Sequence, residues 1–254
     1  MSTEPQLFRK EATLMGNRFE LTAVCTDEIL GLNGIAAGIR EIERIEALLS
    51  TFRADSETNR INDHAGIAPV QVSQEVFELV ERCIALSAIT QGAFDITYGS
   101  IDKRLWNFDT TQTTLPDTAT ARRMVRLINY KNIIMDRESR TILLKNKGMR
   151  IGFGGIGKGY AAEKAKQQMI GMGITSGIVN ASGDLAVWGC QPSGKAWTVG
   201  IVHPDLSSQA FGMMELKDSA VATSGNYEKY IMVNGKKYSH TIDPKTGLPV
   251  TGIK

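Results

Sequence analysis

The chain has 254 residues, enough to bury a sizeable core as one large domain or two closely packed lobes. Its 42% apolar and 22% charged residues are ordinary for a globular protein. The net charge of +2 gives no bulk attraction to nucleic acid or to an anionic membrane. The cysteines Cys25, Cys83 and Cys190 are scattered, odd in number and without CxxC spacing, so neither a disulfide framework nor a zinc site is expected. Residues 1–9 are polar, so the sequence carries no signal peptide, lipid-anchor cysteine or transmembrane span; a chain with its leader removed would read the same way.

Along the chain, residues 18–25 alternate polar and apolar and predict a strand. Ile29, Leu32, Ile35, Ile39, Ile42, Ile45, Leu48 and Leu49 then recur at helical spacing, with Glu41, Glu43, Arg44 and Glu46 on the other positions. Ser73 is placed to cap a second helix through Val76, Leu79, Val80, Cys83 and Leu86 that stops before Gly92. Residues 107–118 read as a surface loop, with Asp117 capping a short helix. Residues 133–136 and 141–145 predict two short strands around a polar turn. A helix is expected from Lys158 to Gly171 or Gly173, followed by strands at 178–179, 185–189 and 197–202. Helices precede a strand-rich second half, which predicts an α+β fold of mixed or antiparallel sheets with packed helices, as a single domain over 1–254.

The run Gly152-Phe153-Gly154-Gly155-Ile156-Gly157-Lys158-Gly159 satisfies G-x-G-x-x-G and most of a Walker A motif. Gly159 stands where Walker A needs a Ser or Thr, and no regular βαβ unit surrounds the loop. What remains is a glycine loop opening a helix, where backbone N–H groups and the helix dipole favour an anion beside Lys158. A tight strand-to-helix turn with a solvated lysine is the alternative. Asn180-Ala181-Ser182-Gly183-Asp184 offers a hydroxyl and a carboxylate; on its own it reads as a hairpin turn. Asp95, within Gly92-Ala93-Phe94-Asp95-Ile96-Thr97, is acidic in an apolar run and needs hydrogen-bond partners, as a ligand contact or as a backbone cap. If residues 237–242 form a strand, Tyr238, His240 and Ile242 share one face ahead of the Asp243-Pro244-Lys245-Thr246-Gly247 turn. There His240 suits general-base work, or is a histidine bonded to a neighbour. His64 and His203 read as loop residues, and the three histidines lack metal-ligand spacing.

Together these segments resemble the ApbE family, the FAD:protein FMN transferases. The resemblance runs from Met15-Gly16-Asn17-Arg18-Phe19 through Glu43-Arg44-Ile45-Glu46, Leu49-Ser50-Thr51-Phe52 and Asp55-Ser56-Glu57. It continues through Gly92-Ala93-Phe94-Asp95, the glycine loop, Ser182-Gly183-Asp184, Thr223-Ser224-Gly225-Asn226-Tyr227 and the segment 239–247. The resemblance implies an enzyme that takes FAD, releases AMP and attaches FMN to a threonine of an acceptor protein, with Mg2+ at the pyrophosphate. It implies that Met15 and Phe52 line the flavin end, where Tyr is common at the latter position. Ala93, Phe94 and Asp95 would contact FAD. Lys158, Ser182, Asp184, Ser224 and Ile242 correspond to positions around the cofactor, and His240 to the base for the acceptor threonine. Gly157 would give its backbone carbonyl to the metal.

In the family a strand and a helix bearing D-x-x-[AS]-T follow the final turn and supply two magnesium ligands. This sequence stops at Lys254, so those ligands are expected beyond it, and apolar surface is expected to be left uncovered. The implied partner is an acceptor such as a membrane redox-complex subunit or an FMN-binding domain, not nucleic acid. The family is usually periplasmic or membrane-anchored through an exported leader. The competing expectations are an FAD-binding protein, or an FAD pyrophosphatase yielding FMN and AMP. A nicotinamide or P-loop enzyme rests on the glycine loop alone.

Overall fold

The computed structural model describes residues 4–102, 114–202, 210–223, 230–233, 235–239 and 241–250. In chain order the elements are β1 (Gln6–Leu14), β2 (Asn17–Cys25), α1 (Glu28–Leu49), α2 (Glu57–Asp63), β3 (Val70–Gln71) and α3 (Gln74–Ile89). A short helical turn at Ile96–Ser100 leads to α4 (Thr118–Val125), β4 (Ile133–Asp136), β5 (Thr141–Leu144), α5 (Gly157–Gly171), β6 (Ser176–Ala181) and β7 (Asp184–Trp188). Then come β8 (Trp197–Val202), β9 (Ala210–Leu216), β10 (Ser219–Val221), β11 (Tyr230–Val233) and β12 (Lys236–Ser239). Every strand pairing among the described residues is antiparallel, and the fold is α+β. No helix among them is long and apolar enough to cross a membrane.

The chain divides into two compact units, each built from two separated stretches: Met1–Ala47 with Ile156–Ser224, and Leu48–Gly155 with Gly225–Lys254. The first unit is organised on a five-stranded sheet of order β1-β2-β6-β7-β10. The period-2 pattern of β2 sends Phe19, Leu21 and Ala23 fully inward, while α1 buries Ile35, Ile42 and Ile45. Three glycines let α1 approach its neighbours. A Cβ on Gly31 would lie 2.6 Å from the Phe8 ring, one on Gly34 2.6 Å from Ile174, and one on Gly38 2.8 Å from Leu21. Val24, Leu185, Val187, Trp197 and Leu216 form a cluster joining the sheet to the β8–β9 ribbon.

The second unit holds the sheet β3-β5-β4 and the β11–β12 hairpin. Ser73 caps α3 through a bond from the Val76 N–H, as the sequence predicts. Asp117 caps α4 through the Ala119 and Thr120 N–H groups. Met124, Val125 and Val233 are buried together, with Tyr238 and Ile242 packed against them.

Three expectations are corrected. Strands do not wait for the second half: β1 opens the chain ahead of the expected β2, and its sequence gives no clear period because it is an edge strand exposed along most of its length. Helix α2 was not anticipated; its buried face of Thr58, Asn59, Ile61 and Asn62 is mostly polar and lacks an apolar stripe. The strand expected over 237–242 ends at Ser239. Beyond it Ile242 bridges to Pro249, and the Val250 N–H donates to the Thr241 carbonyl, so the final turn closes on itself instead of extending the hairpin.

Candidate active site

In the first unit, topology gathers distant residues at one end of the sheet. Phe19 pairs with Ala181 and Val221 with Leu185, so the β1–β2 turn, the β6–β7 turn and the exit of β10 all lie at that end. The β1–β2 turn is Met15-Gly16, with φ of 51° and 69°; the β6–β7 turn is Ser182-Gly183, with φ of 54° and 97°. Both are two-residue hairpins with positive φ at each central residue, and Met15 holds a conformation that side-chain-bearing residues rarely adopt. Bonds from the surrounding residues hold it there. The Met15 N–H donates to Glu46 Oε2 at 2.9 Å, and Asn17 Nδ2 donates to the Met15 carbonyl at 2.8 Å. At the other turn the Gly183 N–H donates to Asn180 Oδ1 at 3.0 Å, and Thr223 Oγ1 donates to the Gly183 carbonyl at 3.3 Å.

Helix α5 begins at this end. Its N-cap is Ile156, which makes no side-chain cap, and its first turn carries no acidic residue. The first-turn N–H groups therefore have no side-chain cap to satisfy them and favour an anion. Lys158 Nζ lies 3.4 Å from the Ser182 carbonyl and 3.7 Å from Asp184 Oδ2, with both side chains largely enclosed. The sequence-predicted residues Met15, Gly157, Lys158, Ser182 and Asp184 thus all lie in one unit, and the turns place Met15, Ser182 and Asp184 at a single sheet end. Ser224, one residue beyond Thr223, lies outside the described residues, as does His240.

In the second unit, Phe52 is 97% exposed on the loop between α1 and α2. Ala93 is exposed and Phe94 half-buried, while Asp95 is 7% exposed. The Asp95 carboxylate is committed to the protein: Oδ1 accepts from the Thr97 N–H at 2.8 Å and Thr97 Oγ1 at 2.6 Å, and Oδ2 accepts from the Tyr130 N–H at 2.9 Å. Of its two sequence readings, the backbone cap is the one this geometry displays. A cavity of about 360 Å3 adjoins it, lined by Gln91, Gly92, Asn129, Lys131 and Lys245 among others.

The first half of the glycine loop serves packing. A Cβ on Gly154 would strike the Tyr98 hydroxyl, one on Gly152 would sit 3.1 Å from it, and one on Gly155 3.1 Å from Phe94. The Gly154 N–H donates to Tyr98 Oη at 3.0 Å. Tyr98 is 43% exposed as a whole, but its hydroxyl end packs against Gly152 and Gly154; that local desolvation pushes the phenol above its ordinary value, and the Gly154 bond partly opposes the rise. Sequence reasoning missed Tyr98, Glu46, Asn180 and Thr223 as supports. For Tyr98, Glu46 and Thr223 the spacing carries no signal, because each acts on a residue brought near only by the fold; Asn180 acts within its own turn, on Gly183 three residues on.

No group of three or more His, Cys, Asp or Glu side chains among the described residues could hold a metal ion. The Gly157 carbonyl alone does not make the oxygen-rich set that a hard divalent cation needs. The described residues therefore do not fit magnesium by themselves.

The fold is shared with solved ApbE proteins. The ApbE protein of Thermotoga maritima superposes with a TM-score of 0.87 at 29% identity, covering 98% of this chain and 80% of that one. The apo flavinyl transferase ApbE of Pseudomonas stutzeri gives 0.80 at 27% identity, covering 98% and 78%. The ApbE family matches residues 15–254, and the chain belongs to that family. A FAD:protein FMN transferase of Klebsiella pneumoniae is 30% identical over 98% of this chain and 75% of its own length. One of Vibrio cholerae is 30% identical over 83% of this chain, and the match spans only 63% of that relative.

Proposed function

We propose that this protein is a flavin transferase that moves FMN from FAD to a threonine hydroxyl of an acceptor protein and releases AMP. The observation that carries the reading is Lys158, held at the uncapped start of α5 within reach of the Ser182 carbonyl and Asp184. Cleaving a pyrophosphate calls for charge neutralisation more than for covalent help. Lys158 and the first N–H groups of α5 supply positive charge for the phosphates. The Ser182-Gly183 turn brings backbone close to them, and Asp184 orients the ammonium.

In the reaction the threonine oxygen bonds to the phosphorus of the FMN half. The bridging P–O bond breaks, and AMP leaves with the electron pair. His240 is assigned the hydroxyl proton, since a threonine hydroxyl is a poor nucleophile without a base. Phe52 supplies an exposed aromatic face for the isoalloxazine ring, and Met15 a flexible apolar contact. Exposed Ala93 and half-buried Phe94 are assigned to FAD contact, with Asp95 acting through the backbone it fixes; Ser224 and Ile242 complete the assignment. The Gly157 carbonyl would be the one described group to offer magnesium a ligand, and the ion would add neutralisation of phosphate charge. The acceptor is a redox protein that carries a covalently bound flavin.

The test is AMP release from FAD with and without a threonine-bearing acceptor. Acceptor-dependent release supports transfer. Acceptor-independent release identifies an FAD pyrophosphatase, and tight FAD binding with no release a binding protein.

A further inference from the structure

Phe52 is 97% exposed, yet the loop that carries it is tightly determined. Asn59, in the first turn of α2 and 7% exposed, donates through Nδ2 to the carbonyls of Thr51 at 3.1 Å and Arg53 at 2.8 Å. These are the two residues flanking Phe52. The Asn59 Oδ1 accepts from Arg150 Nη2 at 2.9 Å. The amide orientation is fixed by this pattern: reversing it would face an oxygen toward two carbonyls and an NH2 toward a guanidinium. Two further bonds close the same loop. Ser56 Oγ donates to the Ser50 carbonyl at 2.6 Å, and the Phe52 N–H donates to Ser50 Oγ at 3.1 Å.

A bulky ring left in water gains nothing from hydrophobic burial, so the backbone beneath it has to hold it in place. A buried amide bonded on three sides does this at little entropic cost, because α2 already fixes Asn59. Its neighbour on the helix, Asn62, grips the backbone of Ile151 on both sides, with bonds of 3.1 and 2.7 Å. The polar face of α2 therefore ties the Phe52 loop to the segment at Ile151 that leads into the glycine loop.

We infer that Asn59 is a positioning residue for the flavin: by bracketing Phe52 at both flanking carbonyls, it presents the ring as a preformed stacking face for the isoalloxazine of FAD. The inference rests on the reading of Phe52 as the flavin contact. Prepaying the order of the loop lowers the cost of binding.

The experiment is a titration of FAD, followed by quenching of its fluorescence, against the wild type, Phe52→Ala, Asn59→Asp and the double variant. Thermal melting is measured in parallel. Asn59→Asp keeps the acceptor toward Arg150 but puts an oxygen against the two loop carbonyls. Loss of one stacking contact corresponds to roughly a 10-fold rise in Kd. Asn59→Asp is expected to show about that rise, and to add almost nothing in the Phe52→Ala background. Wild-type affinity in Asn59→Asp, or an equal loss with and without Phe52, would overturn the inference while leaving the stacking reading intact. Unchanged affinity in Phe52→Ala would overturn the stacking reading, and the inference with it. If Asn59→Asp does not fold, Arg150→Met releases the Asn59 oxygen with the donors intact. A Kd rise confined to the Phe52 background is then the expected result, and a rise independent of Phe52 the contrary one.

Discussion

Lys158 and Asp95 show two ways a charged residue is used in this molecule. Asp95 is spent on the protein, since both carboxylate oxygens are bonded to backbone or to Thr97. Lys158 is held by a longer ion pair and one carbonyl, which leaves donor capacity for a ligand. Replacing Lys158 by Met keeps the stem and removes the charge. It is expected to lower kcat/KM for FAD by about 100- to 1000-fold, the usual loss when a charge-stabilising donor is removed, with a small fall in melting temperature as Asp184 loses its ion-pair partner; steady-state AMP release checks it. Tyr98 gives a pH-dependent prediction. Desolvation of its hydroxyl end raises the phenol above the ordinary value, so its contribution to stability is complete below the unfolded value of about 10 and is lost as pH rises through the higher folded value. Tyr98→Phe should cost about 1 kcal/mol at neutral pH, the worth of one hydrogen bond, and flatten the alkaline fall in stability. Melting curves from neutral to alkaline pH test both. Lys158, Ser182 and Asp184 stand in motifs legible in the sequence, and the structure brings these three within reach of one another. The supporting contacts of Asn59, Tyr98 and Glu46 are not legible, because a contact across many positions leaves no local pattern.

Among the elements, α1, α3 and β2 were legible because a buried face writes a period of 3.6 or 2 into the sequence. The Ser182-Gly183 hairpin was legible from turn chemistry, and φ values of 54° and 97° bear it out. Strand β1 and helix α2 were not. The first is an edge strand with little to bury, and the second turns a largely polar face inward. The glycine loop was half-read: its later residues open a helix as expected, whereas Gly152 and Gly154 are small because the Tyr98 hydroxyl occupies the space. The glycines of α1 have a comparable cause. Gly34→Ala would gain about 1 kcal/mol of helix propensity, yet its Cβ would come within 2.6 Å of Ile174. A net destabilisation of about 1–2 kcal/mol is expected, typical of overpacking, and urea unfolding measures it.

At the scale of the whole molecule, the α+β class and the family could be anticipated from the order of the motifs, while the division into two interleaved units could not. The chain passes from one unit to the other three times, within α1, within the glycine loop and at Ser224–Gly225, and neither composition nor a linker marks the crossings. The antiparallel order β1-β2-β6-β7-β10 then does what no motif states: it carries Met15, Ser182 and Asp184 to one sheet end, beside the exit of β10. In the proposed function that sheet end, with Lys158, acts on the phosphates of FAD. The most direct measurement incubates the complete gene product with FAD, Mg2+ and a threonine-bearing acceptor, and reads flavin fluorescence on a denaturing gel. The expected result is a fluorescent acceptor band that survives denaturation, vanishes when the acceptor threonine is replaced by alanine, and is lost with Lys158→Met. An acceptor that stays dark with the wild-type protein, or a band as bright with Lys158→Met, would contradict the proposed function.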